Sequence, residues 1–198
     1  MSTARTRYHH GNLRATLLAS AERLLADVGP AELSLRELAR QAGVSHGAPR
    51  QHFPDKRALL DALAVQGFDR LGTELDTALR GRTGPFADRV EVFAEAWVGF
   101  ATAHPALLEL MFASKNRPAA AELRAVADRA FALPSAMITK AQLDGEITGG
   151  DSDRVAMAIF ATLQGLAALV TGGMSGDRPV PALVGDTIRT LVDGLRPR

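Results

Sequence analysis

The stretch Leu33-Ser34-Leu35-Arg36-Glu37-Leu38-Ala39-Arg40-Gln41-Ala42-Gly43-Val44-Ser45-His46-Gly47-Ala48-Pro49-Arg50-Gln51-His52-Phe53 decides the fold. Ser34 and Glu37 stand at capping-box spacing. The Ser34 hydroxyl is expected to accept from the third amide of a helix, while Glu37 reaches back to the cap amide. Leu35, Leu38, Ala39 and Ala42 form one apolar face, which predicts a helix over about 35–42. Gly43 supplies the positive φ that ends it. Ser45 can cap a short third helix that stops near Phe53, before Pro54-Asp55. Pro49 would press on the carbonyl four residues back if it lay deep in that helix. The helix proper is therefore expected to start near His46 or Gly47. Two short helices joined by Ala42-Gly43-Val44-Ser45 meet at a steep angle. This is the helix-turn-helix arrangement, whose second helix can enter the major groove of DNA while the first braces across the backbone.

Helical punctuation continues on both sides. Upstream, Leu17, Ala21, Leu24, Leu25 and Val28 recur at helical spacing between an Asn12 cap and a Gly29-Pro30 stop, giving a helix over about 12–28. Downstream, Asp55 opens a fourth helix with Leu59, Leu60, Leu63, Phe68, Leu71 and Leu75 as its stripe. It reaches toward Arg80 and is close to ~40 Å long at ~1.5 Å per residue. Gly81-Arg82-Thr83-Gly84-Pro85 is the linker candidate. Beyond it the pattern predicts helices over about 86–103, 105–114, 119–144 (kinked at Pro134), 152–172 and 181–195. No strand alternation or internal repeat stands out. The fold class is all-α, with a domain over 8–70 that holds the helix-turn-helix at about 34–53, and a second domain over 85–198.

The formal net charge of +1 hides an asymmetry. Residues 1–67 carry nine Lys/Arg against six Asp/Glu and four of the five histidines, whereas residues 68–198 carry 14 against 16. A basic first part on a slightly acidic remainder points to a polyanion partner for the first part alone. The 198 residues contain no cysteine, which removes disulfides and thiolate metal sites and fits a cytoplasmic protein. The polar, basic start is not a secretory signal. No stretch approaches the ~20 apolar residues of a bilayer span, so no membrane partner is expected.

Residues 8–70 resemble the N-terminal domain of TetR-type transcription regulators. The resemblance rests on Gly11-Asn12-Leu13-Arg14, Gly29, Leu33-Ser34-Leu35-Arg36-Glu37-Leu38-Ala39, Ala42-Gly43-Val44-Ser45, Gly47, His52-Phe53, Lys56 and Leu59-Leu60. Ala101-Thr102-Ala103-His104-Pro105 and Gln164-Gly165-Leu166 resemble one subgroup of the C-terminal domains found in such regulators, many of which have His in place of Gln164. The resemblance implies a homodimer that binds a palindromic double-stranded operator as a repressor and is released by a small, largely apolar effector. One departure is marked. Pro49-Arg50 stands where the family has a leucine followed by a phosphate-holding tyrosine. Arg50 can hold a phosphate with a charge-assisted contact, or reach a guanine edge.

Ser45, His46, Arg50, Gln51 and His52 are expected to donate to phosphate or base. Gly47 and Ala48 are small enough to let the helix approach the duplex. Ser34 and Arg36 add backbone contacts at the start of the preceding helix. Lys56 offers a point charge beside the reading unit, and Arg5, Arg7, His9 and His10 form a basic arm.

In the second part, Val184, Ile188, Leu191 and Leu195 follow i, i+4, i+7, i+11. Ala158, Ala161, Gly165 and Ala168 form a stripe of small residues on the helix before, opposite Val155, Ile159, Leu163, Leu166 and Val170. These two helices are the expected dimer interface. Phe93, Trp97, Phe100 and His104, with Met111, Phe131, Phe160 and Gln164, are candidates for an apolar effector pocket with two polar anchors. Leu108, Phe112 and Met137 belong to the same bulky set. No Gly-rich phosphate loop, HExxH, nucleophile setting or carboxylate cluster is present. Enzyme, cofactor and metal chemistry are therefore not expected. An activator, or a ligand-binding dimer that no longer binds DNA, stays open as an alternative.

Overall fold

The computed structural model describes residues 10–117 and 120–197, with side chains from residue 13 onward. The proposed arm of Arg5, Arg7, His9 and the His10 side chain lies outside the described residues. Among those described there are ten helices and no strand. The chain divides into two compact units. One combines the described residues up to Gly67 with Pro105–Leu123. The other combines Phe68–His104 with the described residues from Arg124 onward.

The first unit begins with α1 (His10–Glu32), which starts two residues before Asn12. Leu17, Ala21, Leu24 and Leu25 are buried as the spacing predicts. Val28 is not, at 44% exposed, so the apolar stripe ends a turn earlier than expected. Gly29, at φ 73° and ψ 173°, breaks the helix, and Pro30 begins its last turn. Next come α2 (Leu35–Gln41) and α3 (Ala48–His52), then α4 (Lys56–Leu79). The Asp55 carboxylate caps α4 by accepting from the Ala58 amide at 2.8 Å. The helix α6 (Pro105–Lys115) packs on α1 and completes the unit. Gly67 of α4 gives α6 its room, because a Cβ there would lie 2.6 Å from the Met111 sulfur. Arg117, beyond α6, forms an ion pair with Asp61 of α4.

The second unit holds the rest of α4 with α5 (Phe86–Ala103), α7 (Ala121–Ala130) from Arg124 onward, α8 (Ala132–Leu143), α9 (Ser152–Thr171) and α10 (Val180–Leu195). Its centre is α5, which packs against α8, α9 and α10. The single helix expected over 119–144 is two helices. They part at Phe131, three residues before Pro134. That places Pro134 in the first turn of α8, where a helix has no internal partner for the N–H that proline lacks.

The start of α5 is held from far away in sequence. Glu146 accepts from the Phe86 amide at 2.5 Å and from the Arg89 guanidinium at 3.0 Å. Its carboxylate does the work of a helix cap and of an ion-pair partner for a side chain that is 13% exposed. Glu146→Ala leaves both donors unpaired, and it is expected to lower stability by roughly 1–3 kcal/mol. Urea unfolding checks this; a midpoint equal to that of the wild type contradicts it.

The helix α9 departs from expectation in its composition. It is long and apolar enough by composition to cross a membrane, with mean hydropathy 1.6 over its best 18-residue window. Here it packs on α5, α8 and α10, yet only 22% of that window is buried. One face therefore remains open.

Candidate nucleic-acid interface

The turn between α2 and α3 is closed by two backbone bonds. The Gly43 amide donates to Arg40 at 3.3 Å and the Val44 amide to Ala39 at 3.1 Å. With Gly43 at φ 65°, this is a Schellman ending, which a left-handed residue makes possible at this position. At the other end of α2, the capping box forms by half. The Ser34 hydroxyl accepts from the Glu37 amide at 3.1 Å. Glu37 does not reach back to the cap amide. It turns forward to Arg40, accepting at 2.9 and 2.5 Å, and takes a weaker bond from Gln41. The Arg40 hydrogen bond, larger than its charge, holds the Glu37 carboxyl below the usual carboxylate range. Its counterpart pushes Arg40 up.

The short helix α3 starts later than Ser45 allows. Its cap position is Gly47, with Pro49 in the first turn, and Ser45 contributes only its carbonyl, to the Ala48 amide at 3.0 Å. The missing N–H of Pro49 falls where a helix has no internal use for one. Pro49 and Phe53, four residues apart, are both buried and define the inward face. Arg50 and Gln51 therefore face solvent. Ser45, His46 and Gly47 are exposed in the turn, while Ala48 and His52 are half-buried. Arg36 is exposed and Ser34 half-buried beside it.

Two cations help hold α3 and α4 in place. Lys56 donates to the Ala31 carbonyl at 2.6 Å, tying the start of α4 to the end of α1. An ammonium has three donors, so this bond leaves others for a phosphate. Arg14 of α1 sets its guanidinium 5.4 Å from the centre of the Phe53 ring. Sequence reasoning gave Arg14 no role. The one signal was its place in Gly11-Asn12-Leu13-Arg14.

In the second unit the residues nominated for dimerisation separate into two groups. Val184 and Ile188 are 1% and 0% exposed inside their own subunit, so they have no surface to offer a partner. Leu191 and Leu195 are half-buried, as is Ala158. Ala161, Gly165 and Ala168 are exposed, alongside Met157 at 65% and Leu169 at 39%. Of the pocket candidates, Phe93, Trp97 and Phe100 line the buried face of α5. Trp97 meets Phe160 edge-on, ring centres 6.0 Å apart, and Phe100 contacts His104 at 5.2 Å. Phe131 and Gln164 are half-buried. Met111 belongs to the first unit, where it is packed on Gly67. The Trp97 indole N–H is fully buried without a hydrogen-bond partner. A cavity of about 180 Å³ opens at the α4–α5 corner, lined by Met137 and by residues that sequence reasoning missed: Leu79, Arg82, Arg89, Leu133, Ala136 and Lys140. No sequence period links 79–89 with 133–140; only the packing of α8 does. Among the described residues no cluster of His, Asp and Glu could hold a metal ion.

Residues 17–63 match the family described as bacterial regulatory proteins, tetR family. Residues 90–195, more than half the chain, match the tetracyclin repressor-like C-terminal domain. The chain belongs to the TetR family. This TetR-family protein is thus a DNA-binding transcription regulator, from a family of non-enzymatic proteins that bind DNA and act as dimers with small-molecule ligands. A solved protein of unknown function from Rhodococcus sp. RHA1 is 43% identical, with a TM-score of 0.88, covering 98% of this chain and 100% of that one. A bacterial regulatory protein in the tetR family from Rhodococcus RHA1 shares the fold at 17% identity, with a TM-score of 0.74 and coverage of 93% and 97%. The class C tetracycline repressor protein of Escherichia coli is 49% identical over 51 residues, 26% of this chain. That match spans 23% of the repressor's own length.

Proposed function

We propose that this protein is a cytoplasmic repressor that grips a palindromic operator as a homodimer and lets go when a small, largely apolar effector binds its C-terminal domain. The reading assigns DNA recognition to residues 8–70, and effector binding and dimerisation to residues 85–198. The observation that carries it is the orientation of α3. Burial of Pro49 and Phe53 turns Arg50 and Gln51 outward, where a guanidinium with no ion pair among the described residues can meet a phosphate or a guanine edge. The open apolar face of α9 supports dimerisation, since a second copy would cover it. The buried, partnerless Trp97 N–H supports an effector site in the second unit, because an acceptor on a ligand would satisfy it. Effector binding would shift the inner helices and tilt α4, which begins in the first unit and ends in the second. The spacing of two reading heads would then no longer fit the operator.

The test is a gel-shift titration of the full chain on DNA flanking its own gene, over a range of salt. Steep salt dependence is expected. Arg50→Ala is expected to weaken binding by ~1–3 kcal/mol at fixed salt. An unchanged dissociation constant for the variant contradicts the assignment of Arg50.

A further inference from the structure

The cavity at the α4–α5 corner has a composition of its own. Leu79, Leu133, Ala136 and Met137 give it an apolar wall, and Arg82, Arg89 and Lys140 bring three cations. No carboxylate lines it. Two of the cations have partners outside the lining: Arg89 pairs with Glu146 at 3.0 Å, and Lys140 with Asp144 at 2.7 Å. Arg82 has no ion pair among the described residues; its side chain donates a long bond, 3.4 Å, to the Ala78 carbonyl. Arg89 also keeps a donor in hand, since its Nε is buried with no hydrogen-bond partner. The corner thus carries one uncompensated positive charge and one orphaned guanidinium donor beside an apolar wall.

We propose that this cavity binds a small organic carboxylate whose apolar body lies against Leu79, Leu133 and Met137 and whose carboxylate meets Arg82 and the rim cations. A guanidinium suits a carboxylate because its parallel N–H groups match the two oxygens. Arg82 is exposed, so its guanidinium is solvated in the free protein and can exchange that water for a carboxylate, which a neutral ligand does not offer. The volume sets the size. About 180 Å³ is below the ~300–1,000 Å³ of sites for drug-sized ligands, so short-chain and single-ring acids fit where a long acyl chain does not. The position carries a consequence. Arg89 shares Glu146 with the Phe86 amide, so an anion drawn to Arg89 competes at the pair that holds the start of α5. The regulatory meaning of the site rests on the effector-released reading above. Ligand binding itself does not, and it is measured without DNA.

Isothermal titration of the full chain with hexanoate and with phenylacetate tests the proposal, with hexanamide and phenylacetamide as neutral counterparts. Two variants accompany the wild type. Arg82→Gln removes the charge, and Ala136→Trp fills the cavity from an exposed helix position, so both are expected to fold, as circular dichroism will verify. Saturable binding of at least one acid is expected, at least about tenfold tighter than its amide. Arg82→Gln is expected to weaken it at least about tenfold, and Ala136→Trp to remove it. No saturable binding of either acid up to about 10 mM, or binding indifferent to both substitutions, overturns the proposal. DNA binding without any acid, measured by gel shift, reports separately on the regulator reading. A failure of one is thereby distinguishable from a failure of the other.

Discussion

Placing an arginine at Ala161, on the open face of α9, is expected to split the dimer and to lower operator affinity by roughly 10²–10⁴-fold. Ala161, Gly165 and Ala168 form an exposed stripe of small residues, flanked by Met157 and Leu169. A monomer that leaves a 20-residue apolar helix so open carries a liability that a symmetric partner removes. On the proposed reading, small side chains would let the two copies of α9 come close. A guanidinium buried between them would have no acceptor in an apolar contact. With one reading head per molecule, the second binding event loses its high effective concentration. Because Ala161 is exposed in the subunit, the fold is expected to survive, and circular dichroism should match the wild type. Sedimentation velocity reads the oligomeric state. A variant that stays dimeric with unchanged DNA affinity rules out this face as the interface.

The second large effect concerns the seating of α3. Phe53→Ala is expected to cost about 3–5 kcal/mol of stability, the usual range for removing a buried phenylalanine. Phe53 is 1% exposed, follows directly on α3, and lies under the Arg14 guanidinium. Its loss opens a void beneath the helix that presents Arg50. Urea unfolding should show a much earlier transition in the first unit, and DNA binding should fall with it. A transition within about 1 kcal/mol of the wild type would mean that α3 is pinned by something other than Phe53.

Much of this was legible in the chain. Ser34 marks the start of α2 because few residue types can accept from a third helical amide. Gly43 marks its end because few tolerate φ near 65°. Pro49 reads as a first-turn residue on steric grounds alone, and it sits there. The errors share one cause: local pattern does not say which neighbour a side chain meets. Glu37 has the spacing for a cap, but Arg40 offers it a charged partner one turn on. Pro134 signals a disruption, yet the chain moves the break upstream to Phe131, so that the missing N–H falls in a first turn that does not need it. Val184 and Ile188 have the spacing of a buried seam. Spacing cannot tell a seam against α5 of the same subunit from one against a second copy. Met111 reads as a bulky apolar residue, and nothing in its local pattern announces Gly67 as its neighbour. The cavity at the α4–α5 corner was invisible because its walls come from segments about 50 residues apart.

Recognition of a palindromic operator through α3 is tested most directly by a footprint of the purified protein on the DNA flanking its own gene, wild type beside Arg50→Ala. The expected result is a protected palindrome with half-sites about one helical turn apart, or a multiple of it. The variant should protect the same site only at higher protein concentration. Protection that is absent, lacks two-fold symmetry, or is identical for the two proteins would contradict it.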